Sequence, residues 1–349
     1  MLRDLQLRNF RCFPAIAAEF SSGFNFIVGA NGQGKTTLLE AACVLLRLQS
    51  QRAATMAPAL RAGEKSFVVS GHIEEHLLQF YYSTLRRKVA LDGVEQRDLA
   101  DYLAFLRVVS FANNDLDLIR GAAETRRRFL DFIGSQVDVR YRPALRVYER
   151  ALRARNALLK SPHPRPRELT AYTEPLVKAG RSLGEMRAAL VRRLRPAAEA
   201  SHHAISGNES LALDYVPGNE EDFAAHLERA QAEDARLRLT TVGPHRDDLC
   251  LFVREMSAAQ FASEGQQRTA ALALKLAQAR LLAEEAEGPP LLLIDDIFGE
   301  LDASRRNALL AALPNESQKL ITATSLDWRE SAWDGPVLEL AGGEIRPRG

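Results

Sequence analysis

The stretch GANGQGKTTLLE, Gly29 to Glu40, decides how the rest of the chain is read. Gly29, Gly34, Lys35 and Thr36 occupy the fixed positions of the pattern G-x-x-x-x-G-K-[ST], with Ala30, Asn31, Gly32 and Gln33 between them and Thr37 following. The glycines let backbone N–H groups turn toward an anion with no Cβ in the way. Lys35 reaches the β- and γ-phosphates of a nucleotide, and the Thr36 hydroxyl holds Mg²⁺. The flanks agree. FNFIV (Phe24 to Val28) is an apolar run suited to a buried strand. KTTLLEAACVLLRL (Lys35 to Leu48) has helical apolar spacing, so the N-terminal end of its dipole faces the phosphate. Kinases, transporters, motors and switches all use such loops, so the work done with the nucleotide has to be read elsewhere.

Composition narrows the field. A chain of 349 residues with 46% hydrophobic content supports two domains, or one large domain with an inserted lobe. No apolar run approaches the roughly 20 residues that cross a bilayer, and the charged, alternating start MLRDLQLRNF does not read as a secretory signal. Cys12, Cys43 and Cys250 show no metal or redox spacing and fit a reducing cytoplasm. The seven histidines form no zinc pattern, and the adjacent His202 and His203 fall on different faces of a helix. The net charge of +1 hides an asymmetry. Arg120 to Arg195 holds nineteen Lys and Arg against seven Asp and Glu, a surplus of twelve positive charges that suggests a polyanionic partner.

The pattern along the chain is strand-rich, then helical, then strand-rich again. LRDLQLRNF, AIAAEF, KSFVVSGHIE, LLQFYYSTLRRKVALDG and RVVSF read as strands. From Asn113 to Leu237 the period becomes helical, with ETRRRFLDFIGSQVDVRYRPALRVYERALRARNALLK and LTAYTEPLVKAGRSLGEMRAALVRRLRPAAEAS joined by the proline-rich turn SPHPRPRE. A helical hairpin is expected there, and Pro143, Pro175 and Pro196 argue against an extended coiled coil. Strand character resumes at LRLTTVGPHRDDLCLFV, and VLELAGGEIR reads as a terminal hairpin. The expected organisation is an α/β head from residues 1–112 and 238–349, with a basic helical lobe, 113–237, inserted into it.

Two later motifs say what the nucleotide is for. PPLLLIDDIFGELD (Pro289 to Asp302) is a buried strand ending in two carboxylates. Asp295 is placed to hold Mg²⁺, and Asp296 to orient or deprotonate an attacking water. Upstream, directly before a long helix, SEGQQRT (Ser263 to Thr269) matches S-x-G-Q, the signature of ABC ATPases. Ser263 and the backbone at Gly265 make a second phosphate cradle at a helix N-terminus, with Gln266 completing the motif.

These stretches, with LRNFRCF, DLDLIRGAAETRRRFLD and VGPHRDDL, occur in the order seen in the RecF family, which the chain resembles over nearly its whole length. RecF proteins resemble the heads of SMC proteins and Rad50 but lack a long coiled-coil arm. The resemblance implies an ABC-type, SMC/Rad50 head-like P-loop ATPase with ATP and Mg²⁺ as cofactors. It implies an ATP-dependent homodimer in which Ser263 of one copy meets the nucleotide of the other and Asp302 of GELD lies in the D-loop crossing the interface. It implies slow hydrolysis, binding to duplex DNA and single-strand/double-strand junctions, and gap repair with RecO and RecR that helps load RecA. Carried onto this chain, Lys35 and Asp296 are the catalytic positions, Thr36 and Asp295 the metal positions, and Asn9 and Arg11 match a stretch that meets nucleotide phosphate.

Asp296 stands where a glutamate is usual, Thr324 lies near the usual switch histidine, and Asn113 and Asn114 lie where a Q-loop glutamine is sought. All three departures point to slow turnover. For DNA the basic candidates are Arg126 and Arg127, then Arg150 and Arg153, then Arg192, Arg193 and Arg195. A transporter ATPase would explain the loop and signature but not the basic helical lobe between Lys35 and Ser263. A small-molecule kinase leaves SEGQQRT and GELD idle, and an SMC-like tether lacks its arm.

Overall fold

DLQLRNF alternates polar and apolar side chains over most of its length, and it pairs with FPAIAAE as antiparallel strands β1 (Asp4–Phe10) and β2 (Phe13–Glu19). In the computed structural model, which describes residues 1–53, 55–161, 166–207, 209–284, 288–330 and 333–348, β3 (Phe24–Val28) runs into the glycine loop and helix α1 (Lys35–Arg47). Strands β4 (Ser66–Ile73), β5 (His76–Ser83), β6 (Arg87–Leu91) and β7 (Val94–Glu95) form a meander, and β8 (Val108–Ala112) follows. Helices α2 (Ala123–Val137), α3 (Tyr141–Leu159) and α4 (Pro166–Ser206) precede β9 (Leu211–Val216), β10 (Asp248–Val253) and β11 (Met256–Ser257). Then come α5 (Glu264–Glu284), β12 (Leu291–Asp295), α6 (Ala303–Ala312), β13 (Lys319–Ala323), β14 (Val337–Ala341) and β15 (Glu344–Pro347).

The chain divides into two compact units, Met1–Asn114 with Leu282–Gly349, and Asp115–Leu281. In the first, a six-stranded sheet has the order β15-β14-β3-β13-β12-β8. Five of its members run parallel and only β15, at one edge, is reversed. A second, antiparallel sheet has the order β2-β1-β4-β5-β6-β7. Helix α1 packs on strands of both sheets, which explains why it is buried almost all round. The strands of the parallel sheet are continuous apolar runs for the same reason: β12 buries Leu291 to Ile294 and β13 buries all five residues. The AGGE turn between β14 and β15 needs left-handed backbone twice in succession, and Gly342 and Gly343 supply it at φ 60° and 83°.

The second unit is built on α3 packed against α4, with a core of Tyr141, Tyr148, Leu176, Leu183, Phe223 and Leu227. It differs from the sequence reading in four places. The first helical stretch breaks into α2 and α3 at Asp138–Arg140, where Asp138 Oδ1 accepts from Arg140 N at 2.8 Å. Helix α4 passes straight through Pro175 and Pro196 for 41 residues. Each proline removes one backbone hydrogen bond, but burial of Leu176, Leu183, Leu190, Val191, Leu194 and Ala198 holds the helix together. Strand β9, LALDYV, lies inside the stretch read as helical and pairs with β10. Its burial alternates, with Leu211 and Leu213 inside and Ala212 and Asp214 outside, but one charged residue among six leaves no apolar-polar pattern in the sequence. Finally, the strand expected over Leu237–Val253 is confined to β10, because Gly243 at φ 125° and the 3₁₀ turn Pro244–Arg246 cannot continue a ladder. The β9–β10 pairing also keeps residues 238–281 in the same compact unit as the helical lobe. Of the turn expected over SPHPRPRE, Ser161 to Glu168, residues 162–165 lie outside the described residues and α4 already begins at Pro166.

Candidate functional site

The parallel sheet places its carboxyl ends along one edge, where ligands of open α/β sheets bind. The glycine loop follows β3, Asp295 ends β12 and Asp296 follows it, Thr324 follows β13, and Asn113 follows β8, with Asp295 in register with Thr322 and Ala112. Residues far apart in sequence therefore meet because their strands are neighbours.

Within the loop, Ala30, Asn31 and Gly32 are exposed, whereas Lys35 and Thr37 are buried. Lys35 Nζ donates to the carbonyls of Gly29 (2.7 Å) and Ala30 (3.1 Å), which curls its ammonium group over the loop. Gln33 Oε1 accepts from Gly342 N at 2.9 Å and ties the loop to the β14–β15 turn. Gly34 has φ 104°, and a Cβ there would lie 2.4 Å from Phe13 Cζ, so both backbone shape and space demand glycine.

Thr36 Oγ1 donates to Asp295 Oδ1 at 2.9 Å, and Thr322 Oγ1 donates to the same oxygen at 2.7 Å. The Thr36 hydroxyl and the Asp295 carboxylate thus sit side by side at the mouth of the loop. No cluster of three or more His, Cys, Asp or Glu suited to a metal occurs among the described residues. A hydroxyl and one carboxylate, without a protein cage, is the donor set that suits Mg²⁺, which takes one or two protein oxygens and fills its octahedron with water and phosphate oxygens. Thr322 was not anticipated from the sequence, because only strand register brings it to Asp295.

Asp296 occupies the left-handed region at φ 51°, which turns its side chain out of the sheet direction. Its N–H donates to Thr322 Oγ1 (3.1 Å) and Thr322 O (3.2 Å). Burial raises its carboxyl above the ordinary aspartate range and the Asp295 charge adds to this, while Lys35 and a backbone hydrogen bond at Thr324 work the other way. Asn113 Nδ2 donates to Glu300 Oε1 at 2.6 Å, so the asparagine in place of a Q-loop glutamine is engaged with the FGE turn.

The β1–β2 hairpin closes over the loop. Cys12 and Phe13 are the nearest neighbours of Gly34, and Cys12 Sγ lies 3.9 Å from Thr37 Oγ1. Asn9 and Arg11 both have positive φ, 55° and 53°. Asn9 Nδ2 donates to Glu64 Oε2 at 3.1 Å. Arg11 makes a two-pronged bond to Glu40 of α1, at 3.0 and 2.7 Å. The Glu40 carboxylate is buried and also accepts from Ser50 Oγ at 2.5 Å. Glu40 is a polar residue inside an apolar helix that the sequence reading passed over, and it fixes where Arg11 can reach.

In the second unit the S-x-G-Q stretch opens α5 as a reciprocal cap. Gln266 N donates to Ser263 Oγ (3.3 Å), and Ser263 N donates to Gln266 Oε1 (2.9 Å). Ser263 is exposed and Gly265 half-buried. Asp302, in the first unit, is exposed and caps α6 by accepting from Arg305 N at 2.9 Å.

The basic candidates separate into two kinds. Arg126 forms a two-pronged pair with Asp248 (2.6 and 2.9 Å) and is 12% exposed, and Arg127 Nη1 donates to Asp247 O at 2.8 Å. Their donors are committed inside the unit. Arg153 pairs with Glu149 and Arg195 with Asp214. Arg150 and Arg192 are exposed and have no acidic partner among the described residues, and Arg193 is exposed. The sequence reading did not single out Arg142 and Arg146. With Arg150 they stand four residues apart on α3, a row of like charges on one flank that is unfavourable for a helix in isolation. Burial and the adjacent Arg146 charge pull Arg142 down to about 10, so it still carries its charge at neutral pH.

One histidine is a fold element that its sequence context did not reveal. His245 lies between Tyr148 OH (2.6 Å) and Thr240 O (2.9 Å). The carbonyl accepts only, so Nε2 carries the proton and Nδ1 accepts from the tyrosine. Burial lowers its pKa to about 4, which keeps it neutral.

A glycine loop, a hydroxyl–carboxylate pair at the ends of parallel strands, an antiparallel second sheet and a capped S-x-G-Q helix together define an ABC-type nucleotide-binding head of the SMC kind. Residues 1–334 match the family model of the RecF/RecN/SMC N terminal domain. The DNA replication and repair protein RecF of Symbiobacterium thermophilum is 38% identical over 93% of this chain and 92% of its own length. That of a Cyanothece species is 37% identical over 99% and 97%. A solved structure of the recombination mediator protein RecF with ATPrS superposes with a TM-score of 0.90 at 28% identity, covering 100% of this chain and 98% of that one. The Smc head of Pyrococcus furiosus shares the fold at a TM-score of 0.56 and 17% identity. The chain belongs to the RecF family.

Proposed function

We propose that this chain is an ATP-operated switch of recombinational DNA repair, in which two copies close on two molecules of ATP, hold DNA, and separate after slow hydrolysis. The carrying observation is the Thr36–Asp295 contact beside the glycine loop, a magnesium-triphosphate seat made within one copy. Lys35 binds the β- and γ-phosphates, the loop amides of Gly29–Thr37 cradle them, and Arg11, aimed by Glu40, adds positive charge. Thr36 and Asp295 would hold a bound Mg²⁺, which would supply neutralisation of the phosphate charge. Asp296 orients the attacking water. Ser263 and the α5 N-terminus cover the triphosphate of the other copy, so for function the signature segment belongs with the ATPase head even though it packs with the helical lobe. The short carboxylate of Asp296 favours slow turnover, and ATP acts chiefly as a ligand that stabilises the closed pair. A relative solved with ATP is described as a recombination mediator of the RecFOR pathway. That supports RecO and RecR as partners, and the proposal takes RecA as the downstream protein and gapped DNA in the bacterial cytoplasm as the setting. No helix among the described residues is long and apolar enough to cross a membrane.

Sedimentation with ATP and Mg²⁺ is expected to show a dimer, and with ADP a monomer. A chain that stays monomeric at saturating ATP overturns the reading. For DNA, the uncompensated row Arg142, Arg146 and Arg150 is the favoured phosphate contact. Reversing all three to glutamate is expected to weaken duplex binding more than tenfold and to reduce the slope of log K against log[salt] by about 2.7, the value for three phosphate contacts. ATP affinity is expected to stay unchanged. If only the Arg192/Arg193/Arg195 reversal weakens binding, the DNA lies along α4 instead.

A further inference from the structure

Gln266 of the signature has a second bond that its motif does not require. Its Nε2 donates to Glu209 Oε1 at 2.8 Å. A carboxylate only accepts, so this contact fixes the orientation of the amide and leaves Gln266 Oε1 facing Ser263 N. Glu209 is itself held: Arg254 Nη2 lies 3.0 Å from the same oxygen, and His202 Nδ1 donates to the Glu209 carbonyl at 3.0 Å. Its side chain is 16% exposed. Glu209 therefore sits between the end of the long lobe helix α4 and the turn that opens α5. In that turn Ser263 Oγ accepts from Gln266 N, which leaves the hydroxyl proton free to be donated outward.

We infer that Glu209 is a positioning residue for the signature, holding Gln266 so that the Ser263 hydroxyl and the α5 N-terminus meet the triphosphate of a second copy. This rests on the reading that the turn closes on the partner's nucleotide. Glu209 touches no reacting atom, so it leaves the loss of ATP from a single copy untouched and acts on closure.

The test compares wild type, Glu209→Ala, Glu209→Gln, Ser263→Ala and the Glu209→Ala/Ser263→Ala double variant. Binding of a fluorescent ATP analogue to dilute monomer and the dimer dissociation constant at saturating ATP are measured for each. Glu209→Ala is expected to weaken the dimer at least tenfold with monomer affinity unchanged. Glu209→Gln, which keeps one acceptor, is expected to restore most of it. The double variant is expected to be no weaker than Ser263→Ala, since the two act as one unit. If Glu209→Ala fails to fold, Arg254→Met, which unpins the carboxylate, is expected to show the same split between the two constants. Wild-type dimerisation in Glu209→Ala, or full additivity with Ser263→Ala, overturns the inference. A wild-type chain that does not dimerise with ATP overturns the underlying reading, and the inference with it.

Discussion

Asp296→Asn is expected to cut the rate of ATP hydrolysis by roughly 10²–10⁴-fold, the usual contribution of a positioned acid or base, while ATP binding and the ATP-dependent dimer persist. The asparagine keeps the length of the side chain and loses the charge that orients water. The same change is expected to raise the melting temperature of the nucleotide-free protein. Burial lifts the Asp296 carboxyl above its ordinary value, so the folded state takes up a proton more readily than the unfolded one. The ionised form is therefore a net cost to folding, present above the folded pKa and absent at pH low enough to protonate both states. Asparagine removes that cost and also tolerates the left-handed backbone at φ 51°. The acid limb of kcat/KM in wild type is expected above the ordinary aspartate value of 3.8 and should vanish with the residual activity in the variant. Turnover in Asp296→Asn at the wild-type rate would remove Asp296 from the mechanism. A lowered melting temperature would remove the stability argument alone.

The largest effect on stability is expected at Arg187. Its side chain is 3% exposed and its guanidinium bridges two carboxylates, Asp131 (2.8 Å) and Asp247 (2.7 Å), while also donating to Pro244 O at 2.6 Å. Burial opposes its charge, but Asp131, Tyr141 and Asp247 outweigh that and hold its pKa above the usual arginine value. The acids have further partners. Tyr141 OH donates to Asp131 at 2.6 Å, and Asp247 accepts from Tyr215 OH at 2.5 Å and Gly218 N at 2.7 Å. The network thus ties α2, α3, α4, β9 and the VGPHRDD loop to one cation. Removing it strands the buried Asp247 carboxylate and the partly buried one of Asp131, and a broken buried pair costs about 3–5 kcal/mol. Arg187→Ala is expected to lower the melting temperature by roughly 10 °C, and Arg187→Lys to recover only part, because an ammonium group cannot reproduce the planar fork. A change within a degree or two, measured by calorimetry, would show that the carboxylates find other partners.

The sequence alone determined the chemistry that local backbone can encode. The glycine loop, its helix, the paired carboxylates at the end of a buried strand and the S-x-G-Q cap are each a few contiguous residues, and the turn or strand end they build is itself the geometry proposed to hold nucleotide. Strand β9 was not legible, because LALDYV holds one charged residue and sits within a helical pattern. Tertiary structure alone decided which charges are available. Arg126 and Arg187 look alike in a basic run, yet Arg126 is committed to Asp248 and Arg187 to Asp131 and Asp247. It likewise decided that Thr322 supports Asp295, Glu40 aims Arg11 and Glu209 holds Gln266. The physical reason is that a charge belongs to a residue, whereas its neutralisation depends on a distant partner, such as Asp248 for Arg126, 122 positions away, brought close only by strand register and helix packing.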